Sequence, residues 1–208
     1  MQISNSRARG LILIGISLGL FLALAVAVAS GTTLGFDNAV RQNIHSSATA
    51  SLTSIAFACA FIGSLQVIIP LTVVAVAVLW HRTQGKLAIT FGAVMGGALI
   101  LNWVLKNAIG RIRPEPFFGV EPETFSFPSG HVLFSACFLC GLWLLRRPRP
   151  KYRWVSLVAA LLVVGAVGWS RIYLGVHYPT DVLGGGLVAI VWLGAVYTGA
   201  AAKTPTVP

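Results

Sequence analysis

The segment "SRIYLGVHYPTD", residues 170–181, holds three ionisable side chains, Arg171, His177 and Asp181, between two long apolar stretches. A charged side chain near lipid hydrocarbon is costly, so such residues mark candidate functional sites. The imidazole of His177 can attack an electrophile as a nucleophile. Asp181, four residues later, can accept the other ring N–H, fix the tautomer and stabilise the charged ring. This spacing predicts a nucleophilic histidine that is oriented by a carboxylate.

Two more cations lie in the segment "KNAIGRIRP", residues 106–114, at the end of another apolar stretch. Arginine matches the oxygens of phosphate bidentately, and lysine adds a point charge. Lys106, Arg113 and Arg171 therefore form a set of fixed cations that suits an anion with several oxygens. The chemistry predicted for these three residues is the binding of a phosphate group.

The segment "FPSGH", residues 127–131, precedes an apolar stretch and has the features of an anion-binding helix start. Ser129 suits an N-cap, and Gly130 lets backbone N–H groups approach a ligand closely. The free N–H groups and the dipole of a helix N-terminus attract anions. His131 can donate a proton to a departing alkoxide. Together with His177, these residues predict phosphoryl transfer through a phosphohistidine that water resolves.

No metal or other cofactor is predicted, because the fixed cations already stabilise the charge on the equatorial phosphate oxygens. The loop glutamates Glu115, Glu121 and Glu123 are interpreted as a solvated loop face. Four nearby aromatic residues are interpreted as anchors at the membrane interface, although they also suit contact with an acyl or prenyl chain. These residues are Phe117, Phe118, Phe125 and Phe127.

The composition indicates an integral membrane protein. The chain is 56% hydrophobic and 10% charged, with a mean hydropathy of +0.84, whereas a soluble domain carries about 25% charged residues. The formal charge of +10 comes from basic residues between apolar segments rather than from a cluster on a soluble face, which excludes nucleic acid as the partner. The three cysteines lie in apolar stretches and are interpreted as small packing residues.

Six stretches are apolar enough for spanning helices, which need roughly 20 mostly apolar residues. They are residues 11–30, 65–80, 87–105, 131–145, 154–169 and 182–202. The sequence thus predicts an all-α, polytopic membrane protein with its candidate site at the ends of helices 3–6. Residues 50–62 are also apolar and, with a break at Gly63-Ser64, predict a short interfacial helix or an extension of the second span. Selectivity is expected from the cleft between the spans and from the loops 31–64 and 115–127.

Orientation follows from the Lys and Arg residues of the short loops, which concentrate on the cytoplasmic side of a membrane. With the N-terminus in the cytoplasm, ten of the fifteen basic residues lie inside, led by the run "RRPRPKYR", and all five carboxylates lie outside. Both termini are therefore predicted to be cytoplasmic and the candidate site extracytoplasmic. The first apolar stretch, about 19 residues, exceeds the 7–15 of a signal peptide, so a retained helix is favoured over a cleaved one.

The three polar segments resemble the signature of the type-2 phosphatidic-acid phosphatase family, whose relatives include the vanadium haloperoxidases. The family pattern is Lys, six residues and Arg-Pro, then Pro-Ser-Gly-His, then Ser-Arg, five residues, His, three residues and Asp. The chain matches it at "KNAIGRIRP", "PSGH" and "SRIYLGVHYPTD", with no departure at any motif position. Three ordered motifs at these spacings are a specific signal.

The resemblance implies a single membrane-embedded phosphatase domain over residues 1–208, with a motif core at 106–181. It implies metal-independent removal of phosphate from a lipid, such as undecaprenyl diphosphate, phosphatidylglycerol phosphate or phosphatidate. It also implies that His177 is the nucleophile, Asp181 its orienting partner and His131 the general acid. The implied phosphate-binding residues are Lys106, Arg113, Ser129, Gly130 and Arg171. The expected partners are the lipid substrate and the bilayer, and the oligomeric state stays open.

Three other functions compete with lipid phosphate hydrolysis. A phosphotransferase of the same family passes phosphate to an acceptor lipid instead of to water. A transporter of anions or phospholipids predicts polar groups and broken helices near the bilayer midplane. The predicted spans contain few such groups, chiefly Gln66 and Asn102, so the transporter is disfavoured. A haloperoxidase binds vanadate in the same pocket, but its known members are soluble.

Overall fold

The computed structural model describes residues 2–119, 123–146 and 149–202, and the side chains of residues 8–119, 123–146 and 149–199. The described residues form eight α-helices and no strand, so the predicted all-α class is confirmed. The helices are α1 (Gln2–Ala29), α2 (Leu34–Ser46), α3 (Ala50–Ile62), α4 (Leu65–His81), α5 (Gly85–Ile109), α6 (Gly130–Arg146), α7 (Pro150–Tyr173) and α8 (Pro179–Ala202).

Four of the described helices are long and apolar enough to cross a membrane by themselves, namely α1, α5, α7 and α8. A fifth candidate is the pair α3 and α4, which passes the same test together but bends by 42° at the short break between the two helices. Helix α6 is apolar but has only 17 residues. The described residues thus contain four candidate spans, or five with the bent pair, and the protein is a multi-pass membrane protein.

The interpretation of residues 31–64 as a loop is wrong, because this segment contains helices α2 and α3. Helix α2 has the reverse of the usual polarity: Asp37 and Arg41 are buried, while Leu34 and Phe36 are exposed. A search for apolar stretches cannot find a helix whose inward face is charged. Residues 50–62, for which the sequence left two interpretations, form the separate helix α3.

Helix α6 lies at the centre of the bundle and contacts α4, α5, α7 and α8. Its buried residues Leu133 and Cys137 belong to the main apolar core. Close helix contacts depend on glycines: a Cβ atom on Gly97 of α5 would lie 2.1 Å from the ring of Trp192 of α8. In a bilayer, such close packing replaces the hydrophobic effect as the force that holds helices together.

The helices around the candidate site extend about one turn beyond the predicted spans. Helix α5 continues to Ile109 and α7 to Tyr173, and α8 already begins at Pro179. As a result, Lys106, Arg171 and Asp181 sit in the terminal turns of helices and not in loops. Rigid helix ends therefore hold these side chains.

Candidate active site

His177 and Asp181 form a buried dyad between the end of α7 and the start of α8. The Nδ1 atom of His177 lies 3.1 Å from Oδ2 of Asp181, and the two residues are 1% and 0% exposed. The backbone N–H of His177 donates to the carbonyl of Arg171, which ties the intervening turn to the end of α7. The histidine and carboxylate of the third motif therefore meet with the geometry that their spacing predicts.

The second ring nitrogen of His177, Nε2, lies 3.1 Å from Nη1 of Arg113. A guanidinium group can only donate hydrogen bonds, so Nε2 is the acceptor in this contact. The proton of the neutral ring then resides on Nδ1, where it is donated to Asp181. This assignment places the lone pair of the neutral ring on Nε2, which makes Nε2 the candidate nucleophile. Arg113 must then turn its N–H from Nε2 to a phosphate oxygen before the attack.

Burial lowers the pKa of His177 to about 3, with Arg113 and Lys106 as smaller contributions in the same direction. The hydrogen bond and the charge of Asp181 oppose this shift but do not cancel it. His177 is therefore neutral at pH 7, which is the protonation state that a nucleophile requires.

Asp181 accepts hydrogen bonds from several directions at once. Its Oδ2 accepts from the hydroxyl of Ser126 and from the backbone N–H of Tyr178 at 2.8 Å, in addition to His177. Its Oδ1 accepts from Nη1 of Arg111 at 2.7 Å. A buried carboxylate with these partners stays ionised and keeps one orientation.

Two of the predicted phosphate-binding cations contact the loop that precedes α6. Lys106 donates from Nζ to the carbonyl of Phe125. Arg113 donates from Nε to the carbonyl of Thr124 at 2.6 Å and from Nη2 to the Thr124 hydroxyl at 3.1 Å. These contacts hold the two cations beside His177.

Arg171 and Ser129 each bury a polar atom that has no hydrogen-bond partner in the described part of the chain. These atoms are Nε of Arg171 and Oγ of Ser129. A buried polar group normally finds a partner, so each such exception requires an explanation. The missing partner fits an oxyanion, because both groups can donate to its oxygens.

Ser129 occupies the N-cap position of α6, but its side chain does not act as the cap. Its carbonyl accepts from Leu133, whereas its hydroxyl makes no bond to the first turn among the described residues. The next residue, Gly130, is restricted by packing, since a Cβ there would lie 2.9 Å from Oδ1 of Asn102. Asn102 itself donates to the carbonyl of Pro128 at 3.3 Å and so supports this segment.

His131 lies in the first turn of α6 and is partly exposed. It is within electrostatic reach of the other predicted site residues, namely Arg171, His177, Arg113 and Lys106. The structure thus brings together the ends of four helices and all eight residues of the sequence-based site. Their individual roles remain predictions.

Beside the site, a cleft of about 500 Å³ opens between α5 and the loop that follows it. Its apolar side is formed by Trp103, Ile112 and Phe125. Its polar side is formed by Lys106, Asn107, Arg113, Glu123 and Thr124. Trp103 is 69% and Ile112 80% exposed, so exposed apolar side chains border the mouth of the cleft. The cleft therefore joins an apolar surface to the two cations.

Three expectations about the surrounding loop have different outcomes. Phe127 is not an interfacial anchor: it is fully buried and stacks on Phe21, with ring centroids 5.7 Å apart. Glu115 and Glu123 are exposed as expected, and Glu121 lies outside the described residues. Among the residues that the structure describes, no group of three or more His, Cys, Asp or Glu could hold a metal ion.

Sequence reasoning missed several residues that support the site. Arg111, Ser126 and Asp37 are buried and bonded to the dyad or to each other. Of these three residues, only Arg111 could have been suspected from the sequence, since it lies within the first motif, between Lys106 and Arg113. Asp37 contacts residues more than 70 positions away, and no local pattern reports such a contact.

The model of the PAP2 superfamily matches residues 87–205, which is more than half of the 208 residues. The chain therefore belongs to this family, and the predicted family is confirmed. All three motifs, including the dyad of His177 and Asp181, lie within the matched range.

Named relatives and a solved structure agree with this family. Phosphatidylglycerophosphatase B of Bacillus subtilis is 35% identical over 128 residues, which cover 60% of this chain and 63% of the relative. An undecaprenyl-diphosphatase of Sulfolobus acidocaldarius is 31% identical over 162 residues, or 74% of each chain. A crystal structure of a transmembrane PAP2-type phosphatidylglycerolphosphate phosphatase from Bacillus subtilis matches with a TM-score of 0.83 and 29% identity, covering 94% of this chain and 98% of that one. The predicted enzyme class, a membrane lipid phosphatase, is confirmed at the level of the family.

Proposed function

We propose that this protein hydrolyses a lipid phosphate or diphosphate through a covalent phosphohistidine on His177. The observation that carries the proposal is the pairing of both ring nitrogens: Nδ1 with Asp181 and Nε2 with Arg113, each at 3.1 Å. A histidine held in this way presents one lone pair beside a phosphate-binding group. It has no need of a neighbouring base, because burial already keeps it neutral.

In the first half of the reaction, Nε2 attacks phosphorus while the P–O bond to the lipid breaks. The leaving oxygen belongs to the lipid alkoxide, or to a lipid monophosphate when the substrate is a diphosphate. It takes a proton from His131, at the start of α6. The positive charge that develops on the His177 ring is balanced by Asp181 across Nδ1.

The phosphate oxygens are held by Lys106, Arg113 and Arg171, with Ser129 and the backbone N–H of Gly130 at the helix start. The unpaired atoms Nε of Arg171 and Oγ of Ser129 support this assignment, since an oxyanion satisfies both. Cations that are already in place stabilise the charge of the transition state without reorganisation. The proposal gives the eight site residues the roles that the sequence predicts.

In the second half, water attacks the phosphohistidine, gives a proton to His131 and releases inorganic phosphate. The P–N bond breaks and Nε2 regains its lone pair. If an acceptor lipid hydroxyl replaces the water, the same intermediate yields a phosphotransferase. Both reactions share the first half, so the choice between them depends on what enters the site.

The cleft beside Lys106 and Arg113 supports a lipid as the substrate. Its apolar side and its mouth on the lipid-facing surface let a chain remain in the bilayer while the phosphate reaches the cations. The names of the relatives make phosphatidylglycerol phosphate and undecaprenyl diphosphate the first substrates to test. Phosphatidate is the third candidate, from the family resemblance.

The proposed arrangement is a single domain over residues 1–208 that crosses the membrane six times. The crossings are α1, the bent pair of α3 and α4, α5, α6, α7 and α8. Helix α6, with 17 residues, is roughly 26 Å long, close to the hydrocarbon thickness of about 30 Å. The candidate site faces the extracytoplasmic side, because the basic loops lie at the opposite end.

The test is release of phosphate by the purified protein in detergent with EDTA present. The substrates are phosphatidylglycerol phosphate, undecaprenyl diphosphate and phosphatidate, and the variant is His177→Ala. His81→Ala is the matched control, because His81 is exposed and lies at the opposite end of the bundle from the candidate site.

We expect release with the wild type and with His81→Ala, and none with His177→Ala. The order of the three rates then identifies the preferred lipid. Turnover by His177→Ala at the wild-type rate would exclude the nucleophile. Transfer of phosphate to an added acceptor lipid, without release, would identify a phosphotransferase.

A further inference from the structure

Asp37 lies on the buried, charged face of α2 and is 0% exposed. It belongs to none of the three motifs but contacts residues of the site. Its Oδ2 accepts from Nη2 of Arg111 at 2.6 Å and from the hydroxyl of Thr180 at 2.8 Å. Its Oδ1 accepts from the backbone N–H of Thr180 at 3.0 Å. Asp37 therefore caps the first turn of α8, the helix that carries Asp181.

Arg111 links Asp37 to the dyad. While Nη2 donates to Asp37, Nη1 donates to Oδ1 of Asp181 and to the hydroxyl of Thr180, both at 2.7 Å. The guanidinium lies over the ring of Tyr178, with its Cζ atom 4.0 Å from the centroid. The planar fork of an arginine fixes the angle between two carboxylates in a way that a lysine cannot.

The two oxygens of Asp181 have separate tasks. Oδ1 is held by Arg111, whereas Oδ2 receives Nδ1–H of His177 together with the Ser126 hydroxyl and the Tyr178 N–H. A carboxylate that is held at one oxygen cannot rotate freely at the other. The chain of contacts from Asp37 through Arg111 to Asp181 therefore sets the direction in which Asp181 presents its second oxygen to His177.

We propose that Asp37 is a positioning residue of the reaction: acting through Arg111 and Thr180, it fixes the Asp181 carboxylate that holds His177 in its nucleophilic tautomer. The inference rests on the proposed function of the His177 and Asp181 dyad. Removing one partner of a buried charge pair leaves the other charge uncompensated. Without the charge of Asp37, Nη2 of Arg111 loses its carboxylate partner, and the guanidinium shifts together with Oδ1 of Asp181, to which it is bonded.

The proposal predicts the behaviour of Asp37→Asn, which keeps the shape of the side chain but removes its charge. We expect kcat to fall by about 10- to 100-fold, with KM changed less than about twofold, since misorientation of a reacting group costs rate rather than affinity. The double variant with Arg111→Gln loses no more than the single variants, because both substitutions break one chain of contacts. Glu115→Gln, an exposed carboxylate of the same face, is the matched control.

A second readout does not depend on turnover. Nuclear magnetic resonance of protein with ¹⁵N-labelled histidine reports which ring nitrogen of His177 carries the proton, and the signal is assigned by its loss in His177→Ala. We expect protonation on Nδ1 in the wild type and a mixture of tautomers in Asp37→Asn. If Asp37→Asn does not fold, Thr180→Val tests the same contacts, because it removes the hydroxyl between Asp37 and Arg111.

An unchanged kcat together with an unchanged His177 tautomer would overturn the proposal, even if the melting temperature fell. A rise in KM at constant kcat would overturn it as well, since it would place Asp37 in substrate binding. If the wild type releases phosphate from no lipid, the proposed function fails, and the tautomer measurement alone decides the role of Asp37.

Discussion

Arg113 and His177 meet at Nη1 and Nε2, 3.1 Å apart, although 64 residues separate them in the chain. The contact joins the first motif to the third and places the guanidinium proposed to bind phosphate beside the nitrogen proposed to attack it. A phosphate oxygen held by Arg113 therefore brings phosphorus to the Nε2 lone pair. The same contact also assigns the tautomer of the ring.

Arg113→Lys tests this relationship, because it keeps the positive charge but removes the planar guanidinium group and its several N–H donors. A lysine cannot hold Thr124 and contact Nε2 of His177 at the same time. We expect kcat/KM to fall on the order of 100-fold, measured as phosphate release. Arg82→Lys, at the opposite end of the bundle, should retain the wild-type value. Wild-type kinetics in Arg113→Lys would show that charge alone is sufficient.

Asp181→Asn should slow the reaction without abolishing it. The amide replaces an acceptor that receives three hydrogen bonds at Oδ2, and it no longer balances a positive ring on His177. In a comparable histidine and aspartate pair, the same substitution costs about 10⁴ in kcat. Here we expect a loss of roughly 10²- to 10⁴-fold, measured as initial rates. A wild-type rate would argue against the dyad.

The low pKa of His177 also makes the stability of the protein depend on pH. The folded pKa is about 3 and the unfolded value 6.5, so between these values the unfolded chain binds a proton that the folded protein does not. The contribution of the neutral His177 to the free energy of unfolding is fully present above pH 6.5 and is lost as the pH falls towards 3. The free energy of unfolding then decreases by about 1 kcal/mol per pH unit within this window.

The measurement is the melting temperature in detergent at pH 7.5 and at pH 4.5. In His177→Gln the difference between the two temperatures should be smaller than in the wild type, because the titrating group is absent. His81→Gln, an exposed histidine, should keep the wild-type difference. An equal difference in all three proteins would contradict the assigned cause.

Vanadate should inhibit the enzyme, since its five-coordinate form resembles the transition state of phosphoryl transfer. The groups that bind it are those proposed for phosphate, so Arg171→Ala should weaken inhibition by at least about 10-fold. Removal of metal with EDTA should leave the rate unchanged, because the lysine and arginine side chains are proposed to stabilise the charge of the transition state without a metal ion. A strong loss of activity in EDTA, restored by a divalent cation, would contradict this mechanism.

The sequence was sufficient to identify the polar residues that the structure brings together around His177. His177 and Asp181 are four positions apart, and this short spacing survives folding as a direct contact. Four of the six predicted spans correspond to helices that are long and apolar enough to cross a membrane, because apolar length is a local property. Their ends were not predictable, since the last turns of α5 and α7 carry the polar residues Lys106 and Arg171, which a hydropathy criterion removes from a span.

The supporting residues could not be predicted, because they act over long distances in sequence. Asp37 and Thr180 are 143 residues apart, and helix α2 turns its charged face inwards. Phe127 was misjudged for a related reason: its buried place depends on Gly184 of α8, where a Cβ would lie 2.5 Å from the ring. Neither the contact of Asp37 with Thr180 nor the packing of Phe127 against Gly184 produces a periodic or local pattern in the sequence.

The three consecutive glycines of α8 offer the sharpest steric test of the site. A Cβ on Gly185 would lie 2.5 Å from the carbonyl oxygen of Ser129, whereas no atom lies within 4 Å of a Cβ on Gly186. Backbone cannot give way as a flexible side chain does, so Gly185→Ala must displace the segment whose Ser129 N–H donates to the carbonyl of Asp181 at 2.9 Å.

Both substitutions by alanine favour the helix by about 1 kcal/mol, so Gly186→Ala should be neutral or slightly stabilising and should keep the wild-type kcat. Gly185→Ala should lower the free energy of unfolding by about 1–3 kcal/mol and lower kcat as well. Melting temperature and phosphate release, measured on both variants, separate the two cases. Equal behaviour of the two variants would show that the close approach of α8 to Ser129 is not needed, and that Asn102 of α5 holds this segment instead.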